Sequence, residues 1–410
     1  MGSPVFPDSR IKILRIIGRL NVGGPAIHVI NLCAGLDPAR YQQTLVVGTE
    51  SAGEGSMLDY AVSRGVRPQI IPEIVTTFRL TPRDGKALIK LYQIIRRDRP
   101  HIVHTHTAKA GFLGRIAARM AGVPVVVHTF HGHVLHGYYG PAKSRLLRLM
   151  EKSLSSCTDR LLTVSEEVKK ELVAYGVAKA EQISVIPLGF DLEPFINSHA
   201  HRDEFRRELG FGREAKLVGI VGRLFPIKNH ALFLESAARI SANDSAARFV
   251  IVGDGELRPT LEERARDLGI ADRIVFTGWR RDLPRICADL NVLVVSSDNE
   301  GTPVSAIEAM ASSCPVVATR VGGLPDLIRD HITGRLVAPR DAAALACAVT
   351  DLLQRPETAN ELGRRAMEAV RERFAVTRLI SDVDHFYGRL LEEKAIFFAS
   401  AERYARTEVT

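Results

Sequence analysis

The sequence predicts an α/β protein made of two successive doubly wound parallel sheets. Three observations carry that expectation. Short β-branched runs alternate with helix-length segments over residues 11–186 and again from residue 216. The stretch PLGFDLEPFINSHAH at residues 187–201 interrupts the alternation. A chain of 410 residues with 46% hydrophobic content can build two cores.

In the first half the strand runs are IKILRIIG, QQTLVVG, RPQII, HIVHTH, PVVVHTF, RLLTV and QISVI, with helices expected over residues 82–99 and 108–122. In the second they are KLVGIVG, ARFVIVG, RIVFTG, NVLVVS and PVVAT, separated by helices over 230–240, 257–269 and 304–312. After Pro356 the pattern is purely helical, over 357–372 and about 376–395. With no strand left to extend a sheet, these helices are expected to pack outside it, the last crossing back to the first domain. The expected limits are 1–195, 196–375 and a C-terminal helical segment, 376–410. In such sheets ligands bind beyond the carboxyl ends of the strands, and two domains facing one another would enclose a cleft.

Composition narrows the class. The net charge of +8 lies in the first half: residues 1–195 hold 25 Lys/Arg against 16 Asp/Glu, and residues 196–410 hold 30 against 31. A basic half attracts anionic lipid, phosphorylated acceptors or nucleic acid. No helix-turn-helix, RNP or zinc pattern supports nucleic acid. Five dispersed cysteines without a CxxC pair suggest neither a disulfide framework nor a zinc ribbon, and fit a reducing cytoplasm. No apolar run reaches the roughly 18–20 residues of a membrane span, and MGSPVFPDSR does not read as a signal peptide. In KSRLLRLMEK (143–152), Leu146, Leu147, Leu149 and Met150 can form one helical stripe among Lys143, Arg145, Arg148 and Lys152. That pattern suits an anionic membrane surface, and it also suits an ordinary amphipathic core helix.

The most informative stretch is EGTPVSAIE, residues 300–308. It follows a buried strand and opens a helix at Pro303. Unpaired N–H groups of Thr302, Val304 and Ser305 would face an anion together with the positive end of the helix dipole. Glu300 stands beside this cradle, and Glu308 lies somewhat over one turn into the helix. A carboxylate repels phosphate, so its targets are hydroxyls. Two such acceptors beside a phosphate site describe a nucleotide-sugar pocket; a surface loop and a solvated helix face are the plainer alternative. Arg223 and Lys228, on the loop after KLVGIVG, can neutralise a diphosphate without metal. Gly278 and Trp279, after another strand, are candidate walls for the base, as is the GDGE turn at 253–256. The only Asp-x-Asp pair, Asp382/Asp384, is read as a solvated helix face.

In the first half, Gly23 and Gly24 precede a helix with Pro25 at its start, which allows close backbone approach to a ligand, although NVGGPA is not GxGxxG. Seven of thirteen histidines fall between residues 101 and 136. His131, just after PVVVHTF, is the one expected at the carboxyl end of the sheet, polarising a hydroxyl or donating to a sugar oxygen. His104 with His106 in HTH could ligate a metal, but no obvious carboxylate partner stands nearby in the sequence.

These residues resemble a known family. Arg223 with Lys228, the Glu300/Glu308 spacing and EGTPVSAIEAMASSCPVVAT are similar to the retaining nucleotide-sugar glycosyltransferases of glycosyltransferase family 4 (group 1), which have the GT-B fold. HTHTAKAGFLGRIAARMAGVPVVVHTFHGHV looks like the acceptor domain of their bacterial polysaccharide and glycolipid branch. The resemblance spans about residues 11–390. It implies that Glu300 contacts the donor sugar, with Gly301, Thr302 and the neighbours of Pro303 holding its hydroxyls and the distal phosphate. It further implies Glu308 on the ribose, Arg223 and Lys228 on the diphosphate, Gly24 beside the donor phosphates and His131 near the transferred sugar. No metal or cofactor is expected. Ser312 and Ser313 stand where many members carry glycine, and Thr302 replaces a larger residue, which leaves the donor sugar open. The implied reaction moves a hexosyl group, from UDP-sugar by preference, to a glycan or lipid-linked acceptor with retention. A GT-B nucleotide-sugar 2-epimerase and a non-catalytic binding module are the alternatives.

Overall fold

The computed structural model describes residues 10–50, 55–75, 81–132 and 140–395. The chain divides into two compact units, residues 1–189 with 376–410, and residues 190–375. In the first, seven strands, β1 (Ile11–Ile17), β2 (Tyr41–Val47), β3 (Gln69–Ile70), β4 (Ile102–His106), β5 (Val125–Phe130), β6 (Arg160–Thr163) and β7 (Ile183–Val185), form one sheet in the order 3-2-1-4-5-6-7. Every pairing is parallel. Its helices are α1 (Gly24–Gly35), α2 (Leu58–Ser63), α3 (Pro82–Asp98), α4 (Ala108–Met120), α5 (Pro141–Ser155) and α6 (Glu166–Ala174).

The second unit opens with α7 (Glu193–Ile196) and α8 (Glu204–Glu208). Its six parallel strands, β8 (Lys216–Val221), β9 (Ala247–Val252), β10 (Ile274–Gly278), β11 (Val292–Val295), β12 (Val316–Thr319) and β13 (Arg335–Val337), run in the order 10-9-8-11-12-13. Between and after them stand α9 (His230–Asn243), α10 (Arg258–Asp267), α11 (Leu283–Asp289), α12 (Val304–Ala311), α13 (Leu324–Leu327), α14 (Ala342–Gln354) and α15 (Pro356–Arg371). The last helix, α16 (Val376–Glu393), returns to the first unit, where Leu379, Val383, Phe386, Leu390 and Leu391 pack on Ile11, Ile13, Leu32 and Leu36. The all-parallel sheets follow from the near-continuous apolar strands: β4, β5, β11 and β12 are buried at every position, as strands covered on both faces must be.

Four expectations are corrected. The first unit ends at Gly189 rather than at residue 195. Phe190, Leu192 and Phe195 are buried with the second unit, and the Phe190 N–H donates to the Phe374 carbonyl. A thirteenth strand, β13, pairs with β12, so PVVAT is not the last strand; at three residues its run is too short to stand out by pattern. Asp384 is not a solvated charge: it accepts from Arg40 and from the Tyr41 hydroxyl at 2.6 Å, tying α16 to β2. The apolar residues of α5 do not share one stripe. Leu147 packs beside the Phe130 and Leu161 cluster, whereas Leu146 and Leu149 are 57% and 56% exposed.

A buried guanidinium anchors α16. Arg15, fully buried in β1, donates to Gln43, contacts His104 Nδ1 at 3.1 Å and donates to the Tyr387 hydroxyl at 2.9 Å. No carboxylate is among these partners. Neutral acceptors and the Tyr387 ring face, 5.6 Å away, offset the desolvation instead.

Candidate functional site

In each sheet the strand order reverses once, between β1 and β4 and between β8 and β11. Splayed loops at that reversal open a crevice beyond the carboxyl ends. Arg223, Lys228 and residues 300–305 lie after the two strands at the reversal of the second unit, whereas Gly278 and Trp279 lie at the end of its edge strand, β10.

Lys228 lies on the loop after β8, in a single 3₁₀ turn (Pro226–Lys228), and Glu300 on the loop after β11. The Lys228 ammonium donates to Glu300 Oε1 at 2.5 Å, and the Ser297 hydroxyl donates to the same oxygen at 2.6 Å. Further hydrogen bonds stitch the two loops together. Ser296 Oγ donates to the carbonyls of Lys228 and Asn229, Asn229 Nδ2 donates to Asp298, and the Asp298 N–H donates to the Ile227 carbonyl. Asn229 itself sits in the left-handed region, caps α9 through the Leu232 N–H, and so turns the chain sharply after Lys228. Glycines bring the backbones close. A Cβ on Gly253 would lie 2.0 Å from the Gly222 carbonyl oxygen, and one on Gly322 would lie 1.9 Å from that of Glu300. The Gly323 N–H donates to the Glu300 carbonyl, so the loop after β12 holds the Glu300 backbone.

Arg223 is half-buried beside Gly222, its guanidinium over the Phe225 ring at 4.8 Å, and the Lys228 stem runs 3.8 Å from where a Gly222 Cβ would stand. Beyond Glu300, α12 begins at Val304 after Pro303. Among the described residues the N–H groups of Gly301, Thr302, Val304 and Ser305 have no partner, the buried Thr302 hydroxyl has none either, and the first α12 bond to Pro303 comes from Ile307. This matches the expected anion cradle: free donors at a helix N-terminus carrying about half a positive charge. Glu308, half-buried on α12, carries a carboxyl that desolvation pushes up to about 8. Gly278 closes β10 with φ 72°, and Trp279 after it is 38% exposed.

Sequence reasoning missed Ser297, Asn229 and the Gly322–Gly323 support. The glycine pair in RVGGLP after a strand is the available signal; Ser297 has none, because its role exists only once β8 and β11 are neighbours.

In the first unit, Gly23 precedes α1 and Gly24 opens it. A Cβ on Gly23 would meet only Pro25, at 3.9 Å, so nothing within the chain requires glycine there. His131 stands, as expected, directly after β5. It is not solitary. His131 Nε2 lies 3.1 Å from His106 Nδ1, and its ring meets that of His28 of α1 edge-on at 4.9 Å. Burial holds all three imidazoles neutral, His131 at about 3. His104 is committed elsewhere: Nε2 pairs with Thr129 at 2.7 Å and Nδ1 with Tyr387 at 2.6 Å, so the His104/His106 metal pair does not form. His133 and His136 lie outside the described residues.

Comparison with known proteins agrees with this geometry. Residues 22–194 match the family described as Glycosyltransferase Family 4, and residues 201–369 the family Glycosyl transferases group 1. The chain is 32% identical over 336 residues to an Escherichia coli UDP-Gal:alpha-D-GlcNAc-diphosphoundecaprenol alpha-1,3-galactosyltransferase, covering 81% of this chain and 86% of that protein. It is 31% identical to a D-inositol 3-phosphate glycosyltransferase of Geodermatophilus obscurus, over 74% of this chain and 70% of that one. Among solved structures, Anabaena HepE in complex with UDP and glucose superposes with a TM-score of 0.79 at 21% identity, over 93% of this chain and all of that one. Two parallel α/β units and these family matches converge: the chain belongs to the group 1 glycosyltransferases and has the GT-B fold.

Proposed function

We propose that this glycosyltransferase moves a hexosyl group from a UDP-sugar to a lipid-linked saccharide, with retention of anomeric configuration and without a metal. The observation that carries the reading is the Lys228–Glu300 contact beside the free N–H groups of α12. One cation, one hydroxyl-binding carboxylate and a helix N-terminus form the set a glycosyl diphosphate needs. Arg223 and Lys228 bind the diphosphate, Glu300 and the N–H groups of Gly301 to Ser305 hold the sugar and distal phosphate, Glu308 takes the ribose hydroxyls, and Trp279 flanks the base. Gly23, Gly24 and His131 serve from the first unit, His131 as a neutral imidazole donating to a sugar oxygen. UDP is preferred because HepE was solved with it and the Escherichia coli relative is named for a UDP donor and an undecaprenol-linked acceptor.

The bond between the anomeric carbon and the diphosphate oxygen breaks first. Arg223, Lys228 and the α12 dipole stabilise the charge left on that oxygen, which takes the proton of the acceptor hydroxyl attacking from the same face. No carboxylate nucleophile is invoked, since Glu300 is engaged with Lys228 and Ser297.

The decisive experiment incubates the protein with UDP-, GDP- and ADP-hexoses and an undecaprenyl-diphosphate saccharide, with and without EDTA, and assigns the product anomer by NMR. Retained configuration with EDTA-resistant transfer from a UDP-sugar supports the reading. Inversion, or loss of transfer with EDTA, rejects it. Conversion of UDP-GlcNAc without acceptor identifies an epimerase, and binding without turnover a binding module.

A lipid-linked acceptor places the reading at the cytoplasmic face of a membrane. Among the described residues no helix is long and apolar enough to cross one. Instead α5 presents exposed Leu146 and Leu149 between exposed Lys143, Arg145 and Lys152. Co-sedimentation with anionic vesicles that is lost in Leu146→Ser/Leu149→Ser supports peripheral attachment, and equal pelleting of both proteins rejects it.

A further inference from the structure

The carboxyl end of the first sheet holds a group of three side chains of which the proposed transfer uses only His131. His28 comes from α1, His106 is the last residue of β4, and His131 follows β5. Three elements separated in sequence deliver three imidazoles to one spot at the β1/β4 reversal. Ring centroids are 4.9 Å apart for His28 and His131, 5.4 Å for His106 and His131, and 5.8 Å for His28 and His106. One ligand-capable atom from each lies within 4.8 Å of the other two.

Buried polar atoms normally find partners. Among the described residues, His28 Nδ1, His106 Nε2 and His131 Nδ1 are all buried without one. The His106–His131 contact engages the other nitrogen of each of those two rings, so each imidazole keeps one nitrogen that no described group engages. The one bond inside the group, His106 Nδ1 to His131 Nε2, has a length of 3.1 Å. Two imidazole nitrogens sharing a tetrahedral ion at about 2.0–2.1 Å stand about 3.3–3.4 Å apart, so that pair is already at chelating separation. His28 completes the group with a ligand atom within 4.8 Å of both.

We infer that His28, His106 and His131 form a binding site for an imidazole-preferring transition-metal dication of the Zn²⁺ class. Three neutral nitrogens are the donor set that favours zinc, copper or nickel over magnesium or calcium, which take oxygen. Adjacent positive charge sets the limits of the site. Arg15 touches His104, whose ring stacks on His106 at 4.3 Å, and Arg378 also acts on His28. With no carboxylate among the ligands, the ion completes its shell with water, hydroxide or another small anion. The site is therefore a reversible, moderate-affinity one rather than a permanent structural centre.

Occupancy has a consequence for the reaction proposed above, on which this part of the inference rests. A bound ion fixes His131 as a ligand and removes its nitrogen from the sugar. Zn²⁺ would then inhibit an enzyme that needs no metal to act, and EDTA would restore it.

Binding is tested first without turnover, so that failure of the inference and failure of the functional reading are separable. Untagged full-length protein is titrated with Co²⁺ while its visible d–d absorption is followed, and with Zn²⁺ against a chromophoric chelator. One equivalent bound with a tetrahedral or five-coordinate Co²⁺ spectrum is expected. His28→Gln and His106→Gln should each weaken binding at least 10–100-fold, as loss even of an outer-shell partner can, while His104→Gln retains the site. Circular dichroism establishes that each variant is folded, and a Zn²⁺-dependent rise in melting temperature in the parent that vanishes in His106→Gln gives a second readout. No stoichiometric binding, or binding unchanged in both His28→Gln and His106→Gln, overturns the site. Stoichiometric binding without EDTA-reversible inhibition of transfer keeps the site and overturns the role of His131 in it.

Discussion

Lys228 and Glu300, 72 residues apart, meet in a hydrogen-bonded ion pair at 2.5 Å where β8 and β11 run side by side. The cation assigned to the diphosphate and the carboxylate assigned to the sugar are thus one unit before any donor arrives. Each holds the other in a single rotamer, so the entropy of ordering a long lysine side chain is lost on folding rather than on binding. A donor would share the ammonium with the carboxylate rather than capture a free one.

Coupling is the first consequence. Lys228→Met should lower kcat about 10²–10³-fold, the usual cost of removing one electrostatic stabiliser of a developing oxyanion. Glu300→Gln should be similarly impaired, and the double variant should be far less impaired than the product of the two. Steady-state kinetics in a double-mutant cycle reads this; strict additivity would show that the residues act separately.

Glu308 makes stability depend on pH. Folded, its carboxyl titrates at about 8 because burial penalises the anion, whereas the ordinary value is 4.5. Between those values the folded chain holds a proton that the unfolded chain has released. The stability associated with neutral Glu308 is therefore full below about pH 4.5 and is lost as pH rises through 8. Glu308→Gln keeps the neutral form, so its melting temperature should fall less than that of the parent between pH 6 and 9. Parallel melting curves would place the group outside this environment. The same substitution should weaken donor binding most above pH 8, about 10-fold or more, because only there does the parent offer the hydroxyls a charged acceptor that the variant lacks.

Trp279 is the only tryptophan in the chain, which makes the donor site directly observable. Nucleotide binding should quench its fluorescence, with the free sugar silent. Trp279→Ala should raise the donor KM about 5–100-fold, in line with roughly 1–3 kcal/mol for one base–aromatic stack, at nearly unchanged kcat. A KM that stays put would move the base elsewhere.

Ser313 offers a stabilising substitution. It ends the turn after α12 with φ 57°, in the left-handed region, and its carbonyl oxygen lies 2.0 Å from where a Cβ on Gly363 would stand. A side chain there costs about 1 kcal/mol relative to glycine. Ser313→Gly should raise the unfolding free energy by about that amount, read as a higher urea midpoint at unchanged slope, with kcat/KM intact. A lower midpoint would mean that the Ser313 hydroxyl, 3.5 Å from the Met367 sulfur, contributes more than the backbone strain costs.

What was legible in the chain followed from local physics. Twelve strand runs, the long helices and the EGTPVSAIE helix start are written in hydrophobic period, glycine turns and a proline at a helix N-terminus, none of which needs a distant partner. The fate of single polar residues was not. Asp384 read as solvated until α16 met Arg40 and Tyr41; Leu146 and Leu147 read as one stripe until packing sent them to opposite sides; β13 was too short to signal itself.

By itself the sequence determined two parallel α/β units, their order along the chain and which side chains carry charge beside a helix start. Only the tertiary structure decided that Ser297 and Lys228 share one carboxylate oxygen, that Gly322 and Gly323 meet the Glu300 backbone, and that His28 joins His106 and His131. The reason is physical: periodicity and turn chemistry act over a few residues. Contacts between loops 70 or more residues apart depend on strand order, and strand order is set by how helices and sheets bury one another.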